Sequence, residues 1–219
     1  MRSPFLPRFS DLPDVLPVFP LAGAVVMPGV QLPLNIFEPR YLNMVQASLA
    51  SDHLIGMVQP RARESEADQP ALYQVGCAGR ITSYSETNDG RIIMVLTGLC
   101  RFEIAEELTM LDGFRRVLAN WARFADDYKE ETGPLPERDA FMGSLRAYCE
   151  RRSVEVPWDD IGDMADADLV NLLCAHLPLD SDDKQALLET AGMQERAALM
   201  RGLMDMSAHG EPDAPKQRH

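Results

Sequence analysis

Lysine is almost missing from this chain: of 219 residues, only Lys129, Lys184 and Lys216 are lysines. Arginine raises the basic total to 21, against 34 Asp and Glu, for a formal charge of −13. Such a surface repels nucleic-acid phosphates and anionic lipid, which need basic side chains for unsteered binding. Cysteine is scarce too. The four thiols at 77, 100, 149 and 174 form no CxxC pair, so the close ligand pairs of a zinc site are missing. They are expected to be free thiols packed as small hydrophobes. No apolar run reaches the length of a bilayer span. The most apolar stretch, residues 16–30, is interrupted by Pro17, Pro20 and Pro28, and Asp11 and Asp14 stand where a signal peptide carries positive charge. The expected location is cytoplasmic.

Catalytic signatures are missing as well. The only superficial P-loop candidate, residues 23–29, is followed by Val30 where a phosphate-binding lysine belongs. HExxH, GxSxG, GxGxxG and EF-hand patterns are absent. The three lysines fall in a hinge, on a polar helix face and in the tail, poor places for the desolvated base of a Ser–Lys dyad. Ser51-Asp52-His53 holds all three triad residue types, but adjacent side chains diverge and cannot make the required hydrogen bonds. The acidic group Asp159, Asp160, Asp163, Asp166 and Asp168 reads as the start of a helix, where the dipole favours carboxylates, and not as a metal site. No metal, no cofactor and no enzymatic activity are expected.

What remains is an ordinary globular composition, 46% hydrophobic and 25% charged, in a chain long enough to bury a core without disulfides. Strand signals dominate the first part. Short β-rich runs cover residues 15–21, 30–34, 54–59, 73–84, 91–99, 101–104 and 114–124, and Asn88-Asp89-Gly90 marks a tight hairpin turn. The run 92–97 is apolar on both faces, which suits a central or barrel strand. One helix interrupts them at 39–49, with Pro39 at a first helical position and Leu42, Val45 and Leu49 on one face. The segment 61–70 is a charged surface loop.

Residues 130–136 (EETGPLP) have hinge composition, and helices follow. Phe141, Leu145, Tyr148 and Cys149 form an i, i+4, i+7, i+8 stripe. Asp166 is expected to cap a helix ending at His176, Asp180 or Ser181 to cap another, and Gly192 to terminate it. A last helix spans 194–206, before a disordered tail at 210–219. Strands followed by helices, without βαβ alternation, predict an α+β protein. Its parts are a β-rich domain at 1–128 and a helical bundle at 129–209.

One block is specific. LPVFPL at 16–21, VVMPG at 25–29 and PLNIFEPRY at 33–41 are followed in order by IGMVQP, VGCAGRITSY, RIIMVLTGLCRFEI and HLPLDSDDKQALLE. Over roughly 15–207 the chain resembles the amino-terminal, substrate-recognition domain of Lon-type ATP-dependent proteases. The resemblance implies a PUA-like β-barrel followed by a helical bundle, no cofactor, and a stand-alone substrate-binding domain without the ATPase and Ser–Lys protease modules. It implies as partners unfolded or tagged polypeptide, or a protease or chaperone. Two other readings stay open: an RNA-binding PUA-like protein, and a small hydrolase with a dispersed site.

The residues expected to touch polypeptide are Met27, Pro28, Phe37, Tyr41 and Met44. Methionine suits promiscuous contact because its unbranched side chain repacks. Phe37, Glu38, Pro39, Arg40 and Tyr41 are also expected to form a structural corner. Phe37 would pack between barrel and helix, Arg40 would fork to Glu38 or to a strand carbonyl, and Tyr41 would keep its hydroxyl wet. On that reading, loss of Phe37 lowers the melting temperature sharply.

Overall fold

A computed structural model of the chain describes residues 6–61, 69–129 and 133–209. Its strands are β1 (Val15–Pro20), β2 (Gln31–Ile36), β3 (Leu54–Val58), β4 (Val75–Glu86), β5 (Ile92–Leu111) and β6 (Phe114–Asn120). Helix α1 (Pro39–Leu49) lies between β2 and β3. Then come α2 (Arg138–Arg152), α3 (Trp158–Gly162), α4 (Asp166–His176), α5 (Ser181–Glu189) and α6 (Met193–His209). The α+β order expected from the sequence is the order observed. The expected tail at 210–219, and parts of the expected loop and hinge (62–68, 130–132), lie outside the described residues.

The sheet runs β2-β5-β4-β3-β1-β6, and β6 returns to pair with β5, closing a barrel. The length of β5 makes the closure possible. Its first half pairs with β2, its second half with β6, and β4 lies along its other edge. The runs 91–99 and 101–104, read as two strands, are therefore one strand of 20 residues. It bends where the β4 register shifts, at Ala78/Gly79, and does not break. Gly98 sits at that bend because a Cβ there would lie 2.0 Å from the Met27 carbonyl oxygen. The run 114–124 ends earlier than expected, at Asn120. The Asn120 side chain accepts the Ala122 N–H at 3.1 Å and a 3-10 turn, Ala122–Tyr128, follows. β1 and β3 are parallel, so the chain between them must cross over, and it carries β2 and α1 as it does so.

The helices lie against the barrel, and one continuous cluster of buried apolar side chains runs through both. The α2 stripe Phe141, Leu145, Tyr148 and Cys149 is buried as its spacing predicts. Three expectations need correction. Asp166 is the first residue of α4 and not its cap; its carboxylate accepts the Leu135 N–H at 2.7 Å and pairs with Arg138, tying residue 135 to α4. Gly192 opens α6 and does not close α5: its N–H donates to Glu195 Oε2 at 3.0 Å and its carbonyl accepts from Arg196. Lys184 is buried, not on a polar face. Its Nζ donates to the Gly23 and Ala175 carbonyls at 3.0 and 3.1 Å, and burial lowers its pKa.

The junction between barrel and helices is built on Arg101, a β5 residue only 3% exposed. Its Nε and Nη2 donate to both oxygens of Asp127 at 2.7–3.2 Å. Nη1 donates to the carbonyls of Leu188 and Thr190 at 3.0 and 2.5 Å, and Nη2 to Ala191 at 2.9 Å. One guanidinium thus caps the carboxyl end of α5. Arg196, also buried, reaches the same Thr190 and Ala191 carbonyls from α6 at 3.3 and 3.2 Å.

Removing one member of a buried pair leaves the other charge uncompensated. Arg101→Ala is expected to cost about 3–5 kcal/mol, a fall of roughly 6–20 °C in Tm for a chain this size. Arg101→Lys should recover little, since one ammonium cannot reproduce the planar fork. A loss under about 1 kcal/mol in thermal melts would contradict the buried-pair account.

Phe37 corrects the corner. It is 61% exposed, with the Arg91 guanidinium 5.9 Å from its ring centroid. It follows Gln31, Pro33 and Asn35 on the outward side of β2, while Ile36 points in. Tyr41 is the buried aromatic, its ring centroid 4.3 Å from that of Phe19. Phe37→Ala should therefore change stability by no more than about 0.5 kcal/mol, whereas Tyr41→Ala should cost about 3–5 kcal/mol. Paired denaturation curves check both.

Candidate functional site

The five expected contact residues do not form one surface. Met27 and Met44 are fully buried. Met27 lies under Gly98, and Met44 faces inward from α1. The Pro28 carbonyl accepts the Asn171 Nδ2–H at 3.2 Å, which pins the β1–β2 loop beneath α4. Met27 and Met44 are thus core residues, whereas the Pro28 ring stays partly exposed. Phe37 is exposed on the outer side of the sheet. Tyr41 alone opens onto a concavity.

That concavity forms where the β5–β6 hairpin folds back over the start of α1. Asp112 and Gly113 make its two-residue turn with φ of +48° and +86°, conformations that suit an Asp-Gly pair at a tight hairpin. Asn43 of α1 donates to the Asp112 carbonyl at 3.0 Å, and a Cβ on Gly113 would stand 3.3 Å from Arg40 Cβ. Pro39 sits at the helix start, and the Glu38 carbonyl accepts the Tyr41 and Leu42 N–H groups. Hairpin and helix thus fix each other. The groove between them has a volume of about 190 Å³, with Pro20, Pro60, Pro70, Tyr41 and Met110 in its walls and Arg40 and Arg115 at its polar side.

Both guanidiniums are already paired. Arg115, 9% exposed, donates through Nε and Nη2 to Glu107 at 2.6 and 2.7 Å, and through Nη1 to the Pro70 carbonyl at 2.7 Å. Arg40 forks to Glu38 at 2.9 and 2.8 Å, and its carbon lies 4.6 Å from the centroid of the Tyr41 ring. Burial raises the Tyr41 pKa against the opposing pull of Arg40, so the phenol is neutral at ordinary pH. Among the described residues, the groove's lining holds no nucleophile and no base. At about 190 Å³ it falls below the ~300–1,000 Å³ of small-molecule sites and suits a single side chain. Sequence reasoning missed Met110, Arg115 and the Asp112-Gly113 turn. The signal was present: Asp-Gly between apolar runs is the pattern that marked residues 89–90.

The thiols are withdrawn from solvent. All four cysteines are free and buried, and desolvation pushes Cys77 well up and Cys174 to about 12. His53 Nδ1 lies 3.3 Å from the Ser51 carbonyl, a main-chain contact and not one with the Ser51 hydroxyl. No group of three or more His, Cys, Asp or Glu among the described residues could hold a metal ion. Among the described residues, no helix is long and apolar enough to cross a membrane.

Comparison with known proteins agrees with this fold. A family model for the ATP-dependent protease La (LON) substrate-binding domain matches residues 15–206. The chain is 32% identical over 216 residues to a Lon protease of Anaeromyxobacter dehalogenans, covering 94% of this chain and 25% of that protein. It is 27% identical over 198 residues to a Lon protease of Brevibacillus choshinensis, covering 87% and 24%. The chain thus spans about a quarter of the length of these curated relatives. Among solved structures, a Lon N-terminal domain protein from Xanthomonas campestris superposes with a TM-score of 0.62 at 22% identity, over 86% of this chain and 97% of that one. The N-terminal domain of a Mycobacterium avium complex Lon protease gives 0.63 at 18% identity, over 87% and 98%. With nearly its whole length matched by the family model, the chain belongs to the Lon substrate-binding domain family.

Proposed function

We propose that the chain is a non-catalytic module that binds unfolded or tagged polypeptide and presents it to a separate protease or chaperone. The barrel at 1–128 carries the binding groove, and the helices at 129–209 form a second unit held to it by Arg101. The carrying observation is the groove at the α1–hairpin corner. Its lining mixes apolar side chains with hydrogen-bond donors and, among the described residues, carries no nucleophile, and the family's name describes substrate binding. Burial of every cysteine speaks against a thiol hydrolase. Pairing of both groove arginines with carboxylates speaks against an RNA surface, which needs uncompensated positive charge.

Purified protein is expected to retain denatured casein without nucleotide, while hydrolysing neither ATP nor casein. Cleavage that co-purifies with the chain and disappears on substituting one of its own Ser or Cys residues would overturn the reading. In the native state the four thiols should resist alkylation, and all four should react in denaturant. Fast labelling of any thiol in native buffer would place a reactive cysteine where the geometry has none.

A further inference from the structure

Oxidisable sulfur is unevenly placed in this chain. The four thiols are buried, and desolvation raises the pKa of Cys77, Cys149 and Cys174, so a peroxide finds little thiolate to attack. A thioether has no proton to lose, and its reactivity follows its exposure. Seven methionines are at most 4% exposed, and Met142 and Met164 are half-buried against the core. Among the described residues, only Met110 (42%) and Met206 (65%) are exposed. Met206 lies in the last part of α6, which contributes nothing to the groove. Met110 forms part of the groove wall. The register of β5 against β6 shifts between Leu108 and Leu111, and such an irregularity re-aims the side chains within it. The backbone on either side is fixed. Arg116 donates to the Thr109 carbonyl at 2.9 and 3.3 Å, and Asn43 to the Asp112 carbonyl at 3.0 Å. The chain is thus held at Met110 while its sulfur stays open to water.

We propose that Met110 is a reversible oxidation site through which a hydroperoxide closes the groove, an inference that rests on the reading that the groove binds polypeptide. The sulfur lone pair forms an S–O bond to one peroxide oxygen as the O–O bond breaks. The proton on the transferred oxygen passes to the leaving hydroxide, so thioether and hydrogen peroxide become sulfoxide and water. Sulfur loses two electrons and the peroxide gains them. The product puts a polar hydrogen-bond acceptor where the wall was apolar. Arg40 and Arg115 line the same space of about 190 Å³, so the sulfoxide oxygen competes with a bound chain for guanidinium N–H groups. A thiol-dependent reductase, which returns the oxygen to water, reopens the site.

The test treats the purified chain with hydrogen peroxide, removes the peroxide, maps sulfoxides by peptide mass spectrometry and then measures retention of denatured casein. Met110 and Met206 should oxidise about tenfold or more faster than the seven buried methionines. The melting temperature should stay within about 2 °C, since neither side chain belongs to the core. Affinity for casein should fall about fivefold or more as the Met110 sulfoxide accumulates. It should return when the two epimer-specific methionine sulfoxide reductases act with dithiothreitol, a readout on the unsubstituted chain that needs no variant. Met206→Leu should keep the whole response. Met110→Leu, compared with itself before and after peroxide, should lose the response whatever its starting affinity. Oxidation of Met110 no faster than of the buried methionines, unchanged casein affinity once Met110 is fully oxidised, or an equal fall in Met110→Leu would overturn the inference and leave the binding reading standing. Absence of casein retention before any peroxide is added would remove both.

Discussion

A charge buried at the seam between barrel and helices governs how this molecule is arranged. Arg101 and Arg196 bring two guanidiniums into the interior, and both donate to the Thr190 and Ala191 carbonyls that follow α5. Asp127 supplies a full counter-charge to Arg101. The carboxyl end of a helix, with unsatisfied carbonyls and its share of the macrodipole, contributes negative potential beside it. Such an arrangement tolerates little displacement, because each broken bond leaves a desolvated charge. It therefore sets the position of α5, and α5 carries further ties. Gln59 of the barrel donates to the Ser181 carbonyl and to Gln185, and Gln185 donates to the Val75 carbonyl of β4. Lys184 then links α5 to Gly23 and to the end of α4.

The same rule, that positive charge is matched where it is withdrawn from water, operates at the groove. Arg115 is neutralised by Glu107 and Arg40 by Glu38, inside a chain whose net charge is −13. Among the described residues, both arginines that line the groove are thus held by carboxylates.

Much of this architecture was legible in the sequence. Proline at the first turn of α1, the Asp-Gly hairpin at 89–90 and the helical stripe in α2 follow from local stereochemistry and periodicity. The functional surface was less legible, for identifiable reasons. Phe37 was taken for a packing residue because it is aromatic, but strand alternation gives it the outward parity of Asn35. Met27 and Met44 are adaptable side chains, but their burial depends on tertiary neighbours that no local pattern specifies. The buried ion pair at Arg101 has no signal in the local pattern. Its partners lie 26 and about 90 residues away, and only the closed barrel brings them together.

The central claim is that buried charge couples two differently built units into one cooperative block. Native-state hydrogen exchange reads this directly, by comparing the opening free energies of amides in β5, such as Cys100 and Phe102, with those in α5, such as Leu187 and Leu188. If Arg101 locks the seam, both sets exchange only through global unfolding and their opening free energies coincide. If α5 exchanges through a separate opening well below the barrel's, the helices are held loosely and the account is wrong.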